Sequence, residues 1–284
     1  MKPLGAVDAA ELLLATAEAG GAAAAAAVVG GTRADLMGRR LALTRTPAGD
    51  FAVHGSLGSA AVDEAAAEVL RETLATPRVG DGLRTVQVGA DALELYLEVR
   101  WPVQELVIVG AGHIALPMAH IGSTLGFRVT VLDDRPDFAT RERFPTAHKV
   151  VRADFSDPFA DIPLHERSHI LLVTRGHKYD YECLIRALRA DPPPAYIGMI
   201  GSRRRVRATY VQLVEEGFSM DLIDRIHAPV GLDVGAETPE EIAVAVAAEL
   251  VMVRRGGTGL PLKGVERVAE RYFAGDLSRK EGEQ

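Results

Sequence analysis

Leu106-Val107-Ile108-Val109-Gly110-Ala111-Gly112-His113-Ile114-Ala115 is the stretch on which the reading of the fold turns. A short apolar run rich in β-branched residues enters a glycine turn, and the segment that follows, Ile114 to Leu125, returns its apolar residues at helical spacing. The order is strand, loop, helix. In such a unit Gly110 lets the chain turn sharply, Gly112 lets backbone N–H groups approach a pyrophosphate, and Ala115 in the third small position lets the helix pack closely on the sheet. The turn, His113 included, opens the helix at its positive end, where orphan N–H donors favour a phosphate.

A lone glycine pattern of this length is weak in a chain with 28 glycines, so its context decides. A second strand, Phe127 to Leu132, follows the helix and ends in Asp133-Asp134, near the ~20-residue offset at which dinucleotide folds place the acid that holds a ribose hydroxyl. These features in order read as a dinucleotide-type α/β unit, with a βαβ crossover that carries no ligand as the alternative. A carboxylate there also disfavours the extra phosphate of an NADP-like ligand, a preference that Arg135 weakens.

The chain continues in the same alternation. Lys149 to Arg152 reads as a third strand, Asp154 to Pro163 as a polar loop, and His169 to Val173 as a fourth strand of the kind that parallel sheets bury on both faces. Ligands of open α/β sheets bind beyond the carboxyl ends of strands, which places Thr174, Arg175, His177 and Asp180 for contact. Tyr179 to Leu188 is helix-like, Pro192 to Pro194 break the next helical stretch, and Ala195 to Ile200 is a fifth strand. It runs into Gly201-Ser202-Arg203-Arg204-Arg205 at the start of another helix. Arginines in a first turn oppose the helix dipole, so a bound anion would compensate them; a solvated basic face is the alternative. Thr238, Pro239 and Glu241 form a capping box for a long helix through Arg254, and the glycine-rich loop before it carries His227, Asp233 and Glu237.

The first hundred residues read as a separate unit. Helices are expected over Ala9 to Ala19 and Ala60 to Leu74, with strands at Ala25 to Val29, Arg39 to Thr44, Phe51 to His54, Thr85 to Val88 and Leu93 to Val99. Gly55 to Ser59 is a second loop that could hold an anion at a helix start, and a plain strand-to-helix turn fits its spacing equally. The expected fold is α/β: a C-terminal Rossmann-like parallel-sheet domain over residues 103–256, preceded by a smaller α+β domain over residues 1–102. A partly helical tail, residues 257–284, follows, with a helix expected over Val265 to Phe273.

Bulk composition narrows the function classes. With 284 residues, 48% apolar, 25% charged and a net charge of -7, the chain reads as a soluble globular protein and not as a general nucleic-acid binder. The apolar run Ala22 to Val29 is far too short for a membrane span, so neither a membrane helix nor a signal peptide is expected. One cysteine, Cys183, excludes an internal disulfide and a cysteine-rich metal site, and suits a cytoplasmic location. It reads as a buried small hydrophobe.

Together, Leu106 to Ala115, Asp133-Asp134-Arg135, Thr174 to His177, Ile197 to Arg204 and His227 to Ala243 resemble the XdhC/CoxI family, accessory proteins of xanthine dehydrogenase and related molybdenum hydroxylases. The resemblance covers about residues 103–255. It implies a chaperone that binds the molybdenum cofactor, shields it while a cysteine desulfurase replaces an oxo ligand by sulfur, and delivers it to the apo-hydroxylase. The residues it puts forward are Gly110, Gly112, His113, Ala115, Asp133, Asp134, Thr174, Arg175, His177, Ser202, Arg203, Arg204, Gly231, Asp233, Gly235 and Glu237 for cofactor binding, with no resident metal ligand and no assigned catalytic residue. Where the family often carries a glycine run, sometimes with a cysteine, this chain has Gly55-Ser56-Leu57-Gly58-Ser59-Ala60-Ala61. The rival readings are an NAD-dependent oxidoreductase, with His177 or His227 as proton donor, and a nucleotide-sensing regulator. Homodimerisation is left open by all three.

Overall fold

The computed structural model describes residues 4–76, 79–174 and 177–267, with His177 and Lys178 described by backbone alone. Two compact units emerge, one formed by residues 1–105 with 126–128 and the other by 106–125 with 129–284.

The first unit contains α1 (Ala6–Glu18), β1 (Ala22–Gly31), β2 (Arg40–Arg45), β3 (Phe51–Gly55), α2 (Ala60–Ala75), β4 (Gly82–Val88) and β5 (Asp91–Arg100). Its strands form an antiparallel sheet in the order β3-β2-β1-β5-β4, with β1 at the centre. Ala22, Ala24, Ala26 and Val28 pack into a core with Val62, Ala66 and Leu70 of α2, while Ala23 and Ala25 pack with Leu13 of α1. The alanine run is therefore a strand buried on both faces. Alanine is depleted in strands, so nothing local announces where this one begins; the expected start at Ala25 is three residues late because burial between two helices, not propensity, decides it.

The second unit contains β6 (Glu105–Val109), α3 (Ala115–Thr124), β7 (Arg128–Asp133), β8 (Lys149–Arg152), β9 (Ser168–Leu172), α4 (His177–Leu188), β10 (Tyr196–Met199), α5 (Arg203–Glu215), α6 (Met220–Ile223), β11 (Ile226–His227), α7 (Pro239–Arg255) and α8 (Leu262–Glu266). Its six-stranded parallel sheet runs β8-β7-β6-β9-β10-β11 from edge to edge. Counted within the unit this is the order 3-2-1-4-5-6 of a Rossmann sheet, which reverses between β6 and β9 and opens a crevice beyond their carboxyl ends. The fold is α/β, as the sequence predicts.

Close packing of α3 on this sheet rests on small residues. Ala115 is fully buried, and a Cβ added to Gly122 would come within 2.7 Å of the Leu106 side chain. Cys183 is also fully buried, and its thiol is pushed up to about 12 by burial and then by the nearby Asp180 charge, as befits a packing residue. The loop expected to be polar after β8 is in part core: Phe155, Phe159 and Ile162 pack against Leu132, Ile170 and Leu184. Their spacing, i, i+4 and i+7, is that of a helix face, but Pro158 and Pro163 interrupt the stretch and it folds as consecutive turns. Strand β11 and helix α6 are too short to carry a periodic signal. The last described helix, α8, lies mostly before the expected Val265 to Phe273 segment, which falls largely outside the described residues. No helix among the described residues is long and apolar enough to cross a membrane.

Candidate functional site

The glycine turn sits between β6 and α3, at the sheet's reversal point. Gly110 has φ +105°, and a Cβ there would lie 2.7 Å from the carbonyl oxygen of Val173 and 3.0 Å from the Cα of Thr174. Two independent constraints thus demand glycine. Gly112 differs, since a Cβ added to it meets no protein atom within 4 Å. Its neighbour His113 is exposed, and Ile114 begins α3 without a side-chain cap, so the first-turn N–H groups have no capping acceptor from that residue.

Between the glycines, Ala111 is gripped from two sides. Its N–H donates to Asp133 Oδ2 at 2.7 Å, and its carbonyl accepts from Arg143 Nη2 at 3.2 Å. Asp133 is only 2% exposed, and it also accepts from the Arg135 N–H at 2.9 Å, from Arg135 Nε at 2.8 Å and from Nη2 at 2.9 Å. Burial works against the Asp133 charge, yet the Arg135 guanidinium and the two backbone donors outweigh it and hold the carboxyl well below the usual range. Asp133 is thereby committed to the glycine turn itself. Asp134, the next residue, lines a polar cavity of about 400 Å³ with Arg152, Ala153 and Asp154 at the ends of β7 and β8. In a sheet of this order that is where the ribose of a nucleotide seated on the glycine turn lies.

Beyond β9, Thr174 Oγ1 donates to Asp180 Oδ1 at 2.5 Å, and Arg205 Nη2 donates to Asp180 Oδ2. The buried Asp180 therefore ties the end of β9 and the starts of α4 and α5 together, and supplies part of the negative charge that the arginine-bearing start of α5 calls for. Arg203 and Arg204 remain exposed, and Ser202 caps its own helix by accepting from the Arg205 N–H at 3.3 Å. Arg175 and the His177 side chain lie outside the described residues.

The loop before α7 is anchored from below. Gly231, at φ +106°, donates its N–H to Glu249 Oε2, and Glu249 Oε1 pairs with His227 Nδ1. The His227 ring stacks on Tyr196, centroids 4.5 Å apart. Glu249 is 6% exposed; burial disfavours its charge, but His227 and the Gly231 N–H hold its carboxyl below the usual value. Asp233, Gly235 and Glu237 are exposed, and among the described residues no hydrogen bond or ion pair joins the two carboxylates to the rest of the site. The sequence expectation misses Arg143 and Glu249. A signal for Glu249 exists, a charge flanked by apolar residues on a helix face that also carries Val246 and Leu250; Arg143 lies in an irregular loop and has none.

In the first unit the Gly55 to Ser59 loop is satisfied internally. Asp63 accepts from Ser56 Oγ and from the Leu57 N–H, both at 2.6 Å, and Ser59 caps α2. The protein's own carboxylate stands where an anion would, which favours the plain turn. Among the described residues no group of three or more His, Cys, Asp or Glu side chains could hold a metal ion.

Residues 106–250 match the family model described as the XdhC Rossmann domain. An Escherichia coli (strain K12) protein described as uncharacterized protein YqeB is 31% identical over 224 residues, covering 74% of this chain and 40% of that protein. A probable xanthine dehydrogenase subunit of Bacillus subtilis (strain 168) is 31% identical over 154 residues, covering 54% of this chain and 44% of that one. The chain thus spans less than half the length of these curated relatives. The crystal structure of a xanthine dehydrogenase from Bacillus halodurans shares the fold, with a TM-score of 0.60 and 22% identity over 87% of this chain and 65% of that chain.

Proposed function

The chain belongs to the XdhC family, and from that premise we propose that it is an accessory protein that binds the molybdenum cofactor and assists its sulfuration and insertion into a xanthine dehydrogenase-type hydroxylase. The observation that carries this reading is Gly112, whose missing side chain leaves empty space at the crevice of a Rossmann sheet while Gly110 beside it is fully hemmed in. A phosphate on the pterin, or the diphosphate of a nucleotide form, fits that cradle. The N–H groups of Gly112 and His113 would donate to its oxygens, those of Gly110 and Ala111 being taken by the Leu132 carbonyl and Asp133, and Asp134 would accept from a ribose hydroxyl. Ser202, Arg203 and Arg204, at the start of α5, supply further donors on the same end of the sheet. When bound, the cofactor itself brings the molybdenum chemistry. In this reading the chain holds and shields its guest, a cysteine desulfurase supplies sulfur and the hydroxylase receives the product.

The test is equilibrium binding of cofactor released from a molybdoenzyme, set against NAD, together with mass spectrometry of whatever co-purifies from a host competent for molybdopterin synthesis. Binding of the released cofactor is expected to be tighter than that of NAD, and Asp134→Ala should weaken nucleoside-bearing ligands more than bare phosphate. The second reading is an NAD-dependent oxidoreductase. It is favoured by His227, whose Nδ1 is held by the buried Glu249 in the manner of an oriented acid–base imidazole. Substrate-dependent NADH formation, with no retention of the pterin cofactor, would establish that rival instead.

A further inference from the structure

Several guanidinium groups stand at the carboxyl ends of the strands, and the structure sorts them by what already holds them. Arg135 is committed to Asp133, and Arg205 to Asp180. Arg203 and Arg204 are exposed with no side-chain hydrogen bond among the described residues. Arg143 is different, being both fixed and uncommitted. One of its donors meets the Ala111 carbonyl at 3.2 Å, and its guanidinium lies 4.5 Å from the centroid of Phe138 and 5.9 Å from that of Phe144. No carboxylate approaches it within ion-pair distance among the described residues. The Phe138 ring carries a second guanidinium, that of Arg135, at 3.5 Å. Two cations therefore share one ring, yet only Arg135 has its charge answered by a carboxylate.

A half-buried guanidinium with no carboxylate partner keeps donors available to an incoming anion, and it has five of them in a planar fork. Its anchor is the carbonyl of Ala111, the residue between the two glycines, so the guanidinium is held against the glycine turn. We propose that Arg143 is the cation that contacts the phosphate of a ligand seated on the glycine turn, with Phe138 as the platform that holds its plane in place. This rests on the phosphate-site reading above and adds to it the residue that answers the phosphate's charge. The aromatic platform and the carbonyl anchor restrict the side chain before binding, so less freedom is lost when the ligand docks.

Titration calorimetry on the full chain tests this with ADP, inorganic pyrophosphate and adenosine as probes. Arg143→Met is expected to weaken ADP and pyrophosphate on the order of 10- to 100-fold, the usual range for losing a charge-assisted hydrogen bond, and to leave adenosine unchanged. Arg143→Lys keeps the charge but not the fork and should fall between; if the methionine variant does not fold, the lysine variant's ADP loss against unchanged adenosine decides. Unchanged ADP affinity in the variants, or equal loss of ADP and adenosine, overturns the assignment while the phosphate-site reading survives through the wild-type protein's binding. Wild-type protein that binds neither ADP, pyrophosphate nor released molybdenum cofactor overturns both. Displacement of ADP by the released cofactor assigns the seat to the pterin's phosphate as well. Failure to displace, with ADP still dependent on Arg143, keeps the arginine's role and assigns the seat to nucleotides.

Discussion

Gly110 and Gly112 are separated by one residue and constrained by different things. Gly110 has the positive φ and the backbone of Val173 against it, so any side chain would strain the turn and push the end of β9 away. For Gly110→Ala, a loss of about 1–3 kcal/mol is expected from the backbone conformation alone, and the overlap adds to it. Gly112→Ala is expected to change stability by no more than about 0.5 kcal/mol, the range for open surface positions, and instead to obstruct ligand. Urea unfolding of the two variants, beside ADP titration, separates these outcomes. If Gly112→Ala destabilised the protein as much as Gly110→Ala, the glycine would be a structural requirement and the cradle argument would fail. The sequence made the pair visible but not the difference between them, because that difference lies in what approaches from β9, more than sixty residues away. The Asp133-Asp134 pair was visible in the same partial sense. Only the packed structure shows that the first acid is held by Arg135 and Ala111 while the second lines the cavity.

At the level of elements, α7 combines a part that local chemistry fixes and a part that it does not. Its capping box is present, with Thr238 accepting from the Glu241 N–H and Glu241 accepting from the Thr238 N–H, and Gly256 closes the helix in a left-handed conformation. Such signals act within four residues and are readable in any chain. Glu249 acts across eighteen and twenty-two residues, on Gly231 and His227, so its meaning depends on where α7 docks. The same division runs through the sheet. Strands β6, β7, β9 and β10 announce themselves by apolar runs, whereas β1 hides in alanine and β11 is two residues long. Glu249→Gln should cost about 1.5–3 kcal/mol, as for hydrogen bonds to a charged group. The accompanying local signature is faster amide hydrogen exchange at Gly231 with little change in α3. A loss of stability with no change at Gly231 would mean that the carboxylate does not hold the loop.

On the scale of the whole molecule, the buried carboxylates are unevenly distributed. Asp133 and Glu249, both in the second unit, have carboxyls held below their ordinary values. In the first unit the depressed carboxyl of Asp35 belongs to a solvent-exposed pair with Arg33, where screening leaves little effect on stability. A carboxyl lowered on folding contributes stability that is complete above its unfolded value, roughly 4 for Asp and Glu, and that is lost as the pH falls below that value toward the folded one. The second unit should therefore be the acid-sensitive one, stable from neutrality to about pH 5 and weakening below about pH 4. The single tryptophan makes this measurable, because Trp101 packs against the first unit's core and donates to the Val79 carbonyl at 2.9 Å. On acidification, far-UV circular dichroism and dye binding to exposed apolar surface should change before Trp101 fluorescence does. Asp133→Asn removes one of the titrating groups, so its lower stability at neutral pH should fall less steeply between pH 5 and 3. Superimposable transitions by all three probes, with the same pH slope in wild type and Asp133→Asn, would show that these two carboxylates do not set the acid limit of the fold.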